Sequence, residues 1–164
     1  MRRIVAAVLA IIIVALLVLL LRQGRQPGLP KGMGLPEPGP LQSQVQTLLT
    51  ESSDAWNAGD LDAFMASYLK DPSTTYIGST GLLRGYDAIR DHYAPSFEPG
   101  AARDSLRFED LYTRPLGPGL GLAVAHYVLY RSDTTTSTRI FTLILQQTPD
   151  GWGIVHDHSN ALSE

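Results

Sequence analysis

No cysteine occurs among the 164 residues. That absence removes disulfide cross-links, lipid attachment at cysteine and thiolate catalysis together, while remaining compatible with either side of a membrane. Clustered positive charge is also missing from the body of the chain. Five of the 13 basic residues lie at or before Lys31, so from Leu41 onward eight basic residues stand against fifteen acidic ones, a net charge of about minus seven. Nucleic acid binding requires groups of Lys and Arg to neutralise phosphates, and this acidic body argues against such a partner. No internal repeat is present.

What the sequence does have, at its start, is one long apolar run. Ile4 to Leu21 contains no charged or polar side chain, and at 1.5 Å per residue a helix of that length covers roughly 27 Å, the hydrocarbon thickness of a bilayer. A cleaved signal peptide has a shorter apolar region, about 7 to 15 residues, followed by small residues, whereas here Leu19-Leu20-Leu21 runs directly into Arg22. The reading is a single transmembrane anchor over residues 1–25. Arg2 and Arg3 on one side nearly balance Arg22, Arg25 and Lys31 on the other, and the expected orientation places the following domain outside the cytoplasm. Residues 26–40 are mostly Pro and Gly, which cannot hold a helix and form an extended tether. Residues 41–164 are long enough for one domain with its own core.

Within that domain, Val45, Leu48, Leu49, Ala55 and Trp56 fit helical spacing over Leu41 to Ala58, with Asn57-Ala58-Gly59 as a stop. Asp60 caps a second helix, from Leu61 to about Leu69, ended by Asp71-Pro72. Thr74 to Gly78 reads as a short strand, Ser79-Thr80-Gly81 as a turn, and Tyr86 to Tyr93 as a third helix. Four strands follow, at about Ser105 to Arg114, Leu120 to Arg131, Thr135 to Gln147 and Trp152 to Ser159, each separated by a turn signal. Helices first and an antiparallel meander afterwards predict an α+β fold, with helices covering one face of a curved sheet.

Three blocks carry a family likeness: Trp56-Asn57-Ala58-Gly59-Asp60-Leu61-Asp62; Tyr76-Ile77-Gly78-Ser79 with Arg84-Gly85-Tyr86-Asp87-Ala88-Ile89; and Trp152-Gly153-Ile154-Val155-His156-Asp157-His158-Ser159. In this order and spacing the chain resembles the SnoaL-like branch of the nuclear transport factor 2 superfamily, from about Val45 to Ala161. The last two strands also look like the association domain of calcium/calmodulin-dependent protein kinase, in which an arginine corresponding to Arg139 precedes a similar Trp-to-His ending. The resemblance implies a cone-shaped sheet with a pocket between sheet and helices, and homodimers formed through the sheet's outer face. It implies no single activity, since the superfamily includes ketosteroid isomerase, dehydratases, polyketide cyclases, transport adaptors and oligomerisation modules. The isomerase's tyrosine and paired carboxylates, and a cyclase-type Asp base, are not assignable by motif.

Candidate site residues follow from side-chain chemistry. Strict alternation puts Trp152, Ile154, His156 and His158 on one face and Asp157 on the other, so that Asp157 joins the histidines only if a bulge intervenes. His156 and His158, with His126, have the donor type for a zinc site, but no carboxylate that would orient their rings is identifiable, and a metal is not expected. Arg139, followed at period two by Phe141, Leu143 and Leu145, aims a guanidinium at an apolar face. It either pairs with a carboxylate of the chain or binds an acidic ligand. Tyr76 and Tyr127 are the tyrosines expected to offer a hydroxyl to a ligand, whereas Trp56 and Trp152 are expected in the core.

The working expectation is therefore a membrane-tethered small-molecule-binding domain with Tyr76, Tyr127, Arg139, His156 and His158 as ligand-binding residues and no cofactor. Two alternatives stand beside it: a proton-transfer enzyme using a pocket histidine, and a homodimerising interaction module.

Overall fold

The computed structural model describes residues 39–161, within a compact unit spanning Pro38–Glu164. The apolar run Ile4–Leu21, with the membrane span expected for it, lies outside the described residues, as does most of the Pro/Gly tether. Among the described residues no helix is long and apolar enough to cross a membrane.

The first helix, α1 (Pro40–Ala58), begins with Pro at its first position, where a missing N–H costs nothing, and ends on Gly59 in the left-handed conformation (φ 78°). Val45 and Leu49 on its buried face are almost fully shielded, at 0% and 2% exposure. Each contributes on the order of 1.5–3 kcal/mol of apolar burial. The end of α1 is also fastened to the sheet by side chains. Asn57 Nδ2 donates to the Leu106 carbonyl at 2.9 Å, the Leu106 N–H donates to Asn57 Oδ1 at 2.7 Å, and Trp56 Nε1 donates to the Asp104 carbonyl at 2.9 Å. These bonds give the Trp56-Asn57 block a structural reason: two side chains satisfy backbone groups where the strand Ser105–Gly117 begins.

Asp60 caps α2 (Leu61–Met65) by accepting from the Ala63 N–H at 2.9 Å. This helix is shorter than the expected Leu61-to-Leu69 stretch. After Met65 the backbone leaves the helix and pairs with the last strand: the Leu69 N–H donates to the Ile154 carbonyl at 2.8 Å, and the Ile154 N–H donates to Ser67 at 2.9 Å. Tertiary pairing has overridden helical periodicity there. Next come β1 (Thr75–Gly78), β2 (Gly81–Arg84), α3 (Tyr86–Tyr93) and a single 3₁₀ turn, Ala94–Phe97. The sequence pattern missed β2, a four-residue strand whose backbone pairs antiparallel with β1.

The long strands are β3 (Ser105–Gly117), β4 (Leu120–Arg131), β5 (Thr134–Thr148) and β6 (Gly151–Ala161). The β4–β5 connection is Ser132-Asp133, both with positive φ (47° and 65°), the backbone that matches a two-residue hairpin to the strand twist. The sheet order is β2-β1-β6-β5-β4-β3, with β1 parallel to β6 and the other neighbours antiparallel. The α+β layout of helices on one face of a six-stranded curved sheet is as expected. One sheet face, carrying Ala123, Ala125, Phe141, Leu143, Leu145 and Ile154, closes against Val45, Leu49, Phe64 and Met65 of the helices to form the core.

Candidate functional site

One residue decides which side chains of β6 enter the domain. The β5–β6 register runs from Leu145↔Ile154 to Ile144↔His156, leaving Val155 without a partner. Such a bulge shifts alternation by one place. Trp152 and Ile154 share the core face as the pattern foretold, but beyond Val155 the inward positions are Asp157 and Ser159, and His156 and His158 turn to the outer face. The expected grouping of both histidines with Ile154 is thereby corrected, and the bulge is the physical reason.

Asp157 is 6% exposed and faces a cavity of about 170 Å³ between the sheet and the helices. Among the described residues it is the only carboxylate lining that cavity. Tyr68 Oη donates to Asp157 Oδ2 at 2.6 Å, and Ser159 Oγ donates to Oδ1 at 2.9 Å. Burial pushes the carboxyl up to about 6, against the opposing pull of the Tyr68 and Ser159 hydrogen bonds and of the His158 charge. A group so placed changes protonation close to neutral pH.

Tyr68 reaches the carboxylate because Ser67–Leu69 is held on the backbone of Ile154. Its hydroxyl lies 3.3 Å from that of Tyr93 at the end of α3, extending the chain of polar groups from Asp157 to Tyr68 to Tyr93. Burial, reinforced by the nearby Asp157 charge, raises both phenols well above their ordinary range. The rest of the wall is mostly apolar and rich in aromatic rings, with Ser52, Ser67, Tyr76 and Tyr127 adding hydroxyls. Phe64 packs edge-on to Trp56 and Tyr93, with centroids 5.4 and 4.9 Å apart, and Phe108 meets Phe141 at 5.4 Å. Edge-to-face pairs of this kind fix ring orientation and keep the cavity shaped without a ligand.

The five residues expected to bind a ligand separate into two groups. Tyr76 lines the cavity, standing opposite Asp157 in the β1–β6 register, and Tyr127 lines it from β4. Arg139 lies on the same sheet face, opposite Tyr127, one place beyond the lining residue Phe141. No carboxylate of the described residues lies within ion-pair distance of it. His156 and His158 belong to the outer face. His156 Nδ1 is 2.7 Å from Thr75 Oγ1, and partial burial, with the His158 charge, lowers its pKa. His158 is exposed. His126, also outward, has its Nδ1 3.3 Å from Asp110 Oδ2. Among the described residues no three His, Asp or Glu side chains gather where one ion could be held.

Asp157, Tyr68 and Tyr93 are the site residues that sequence reasoning passed over. Period-two alternation turned Asp157 outward, and only the unpaired Val155 reverses it. Tyr68 sat on the apolar stripe of an expected helix, where a core role is the simpler reading.

Comparison with known proteins agrees with this architecture. The SnoaL-like domain profile matches residues 45–162. A nuclear transport factor 2-like protein of unknown function from Shewanella oneidensis is 27% identical over 72% of this chain and 97% of its own, with a TM-score of 0.61. A calcium/calmodulin-dependent protein kinase type II association-domain-like protein from Thiobacillus denitrificans is 20% identical over 71% of this chain and 93% of its own, with a TM-score of 0.61. A candidate dehydratase of the same superfamily from Streptomyces avermitilis is 18% identical over 74% of this chain and 96% of its own, with a TM-score of 0.62. The latter two likenesses bear on the fold alone. No curated protein matches the sequence.

Proposed function

The chain belongs to the SnoaL-like domain family, and we propose that it binds a small, largely apolar molecule in the sheet–helix cavity and exchanges a proton with it at Asp157. The observation that carries this reading is a buried carboxyl, the single one among the described residues lining this cavity, with its pKa raised to about 6. Above that value the carboxylate is a base near the operating pH, the condition under which general acid–base catalysis works best. Tyr68 holds Oδ2 in place. The phenols of Tyr76 and Tyr127 line the same space and offer hydrogen bonds to a polar group of the ligand. Proton transfer is assigned to Asp157 instead of the histidines, because the bulge removes both imidazoles from the cavity side.

The test is a screen of small aromatic and alicyclic carbonyl compounds, with binding and solvent-deuterium exchange read together. Exchange at a ligand C–H that depends on Asp157 supports the proposal. Tight binding without exchange in any ligand reduces it to a binding protein.

Two further parts of the reading concern placement. The run Ile4–Leu21 tethers the domain to a membrane, tested by carbonate extraction of the full chain against a chain lacking residues 1–25. The outer sheet face, with half-buried Leu122, Val124, Ile140 and Ile144 and with Tyr112 at 57% exposure, supports homodimerisation. Light scattering that gives a monomer mass at micromolar concentration would overturn it.

A further inference from the structure

Side chains on the cavity face of the sheet form successive rows across the strands. Tyr76, Asp157, Leu143 and Ala123 make one row; Ser159, Phe141 and Ala125 make the next; Arg139 and Tyr127 stand in a third. Leu143 and Arg139 are four positions apart on β5, so the two ends lie about 13 Å apart along the strand. The polar groups of the two ends differ in kind. At one end Asp157 accepts hydrogen bonds from Tyr68 and Ser159. At the other stands Arg139, a half-buried residue with no carboxylate within ion-pair distance among the described residues.

Tyr76 links the two ends. A Cβ placed on Gly78 would lie 2.7 Å from Cε1 and Cζ of the Tyr76 ring, so the ring lies over Gly78, along β1. Since β1 runs parallel to β6, this direction leads from the Asp157 row toward the Arg139 row. Burial raises the Tyr76 and Tyr127 phenols, and the Arg139 charge opposes that rise at both, which places the three groups within one another's field. Five N–H donors in a fixed fork, on the same sheet face as two phenols, make a receptor for a planar anion.

We propose that Arg139, with the hydroxyls of Tyr127 and Tyr76, receives the carboxylate of an amphipathic acid whose apolar body fills the cavity toward Asp157. The inference rests on the cavity being the ligand site proposed above. It narrows the ligand class to small organic acids with a compact hydrocarbon or aromatic body, the reactive position lying at the Asp157 end.

The experiment uses the full chain in lipid nanodiscs and two probes of equal shape, hydrocinnamate and its neutral amide, hydrocinnamide. Methyl NMR of Leu129 and Leu143 reports whether the cavity is occupied, and titration gives the affinities. Both probes are expected to shift these methyls, with the acid bound about tenfold more tightly than the amide. Arg139→Ala should abolish that preference, bringing acid and amide to similar affinity, and Arg139→Lys should keep part of it. Equal affinity for acid and amide in the unaltered protein, a comparison needing no variant, overturns the anion subsite and leaves the cavity reading standing. Retention of the preference in Arg139→Ala does the same. Failure of both probes to shift the methyls overturns the cavity reading and the subsite with it.

Discussion

Asp157 and His158 are adjacent in the chain, yet one is buried beside two hydroxyl donors and the other is exposed on the opposite face of the sheet. The same division runs along β5, where Leu143 is 2% exposed and its neighbour Ile144 is half-buried on the outer side. Residue type does not produce this contrast. A strand offers two faces, and a single unpaired residue, Val155, determines which face each later side chain of β6 receives. The chemistry of the inner face is consequently carboxyl and phenol chemistry, and the imidazoles are left with a surface role.

The strongest way to break this contrast is to exchange titratable groups on the two faces. Asp157→Asn is expected to lower any proton-transfer rate by about 10²–10⁴-fold, whereas the His156→Ala/His158→Ala double variant should leave that rate unchanged. Deuterium-exchange kinetics on the same ligand checks both, and a rate lost in the double variant would return catalysis to the outer face. Next in size is a stability comparison on one strand. Leu143→Ala should cost about 3 kcal/mol through the void it leaves, against about 1 kcal/mol for Ile144→Ala. Urea denaturation of the two variants measures the difference, and equal losses would mean that the outer face is covered as fully as the inner one.

An effect of similar size sharpens the electrostatic side. Asp157 has its folded pKa raised from 3.8 to about 6, so the folded state holds a proton that the unfolded state has released within that interval. Unfolding free energy should therefore fall as pH rises from 3.8 to about 6, then stop falling on account of this group. Asp157→Asn should remove that part of the decline in denaturation curves taken across the interval. Smallest is Gly78→Ala, in which the new methyl must displace the Tyr76 ring. It should cost about 1–2 kcal/mol and weaken binding of a ligand that reaches Tyr76, read by thermal melting and titration.

Much of the fold was legible because its signals are local. The Gly59 stop, the Asp60 cap, the Ser132-Asp133 turn and the period-two runs of β4 and β5 each follow from a few residues, and all lie where the pattern placed them. The departures come from long-range pairing. The expected helix through Leu69 yields at Tyr68 to a backbone bridge with Ile154, 86 positions further along the chain, and β2 exists because β1 is beside it. The site shares this origin. Tyr76 and Tyr127 were identifiable as amphipathic aromatics on strands, and Arg139 as an inward guanidinium. Asp157 required knowledge of an unpaired Val155, and Tyr68 required the Ile154 bridge that sets its direction.

The most direct test follows the Asp157 side-chain carboxyl carbon by NMR from about pH 3 to about pH 8. A midpoint near 6 is the expected result, since only a carboxyl withdrawn from water into the cavity titrates there. A midpoint near the ordinary 3.8 would place Asp157 in solvent and contradict both the inward turn at Val155 and the proton-transfer role built on it.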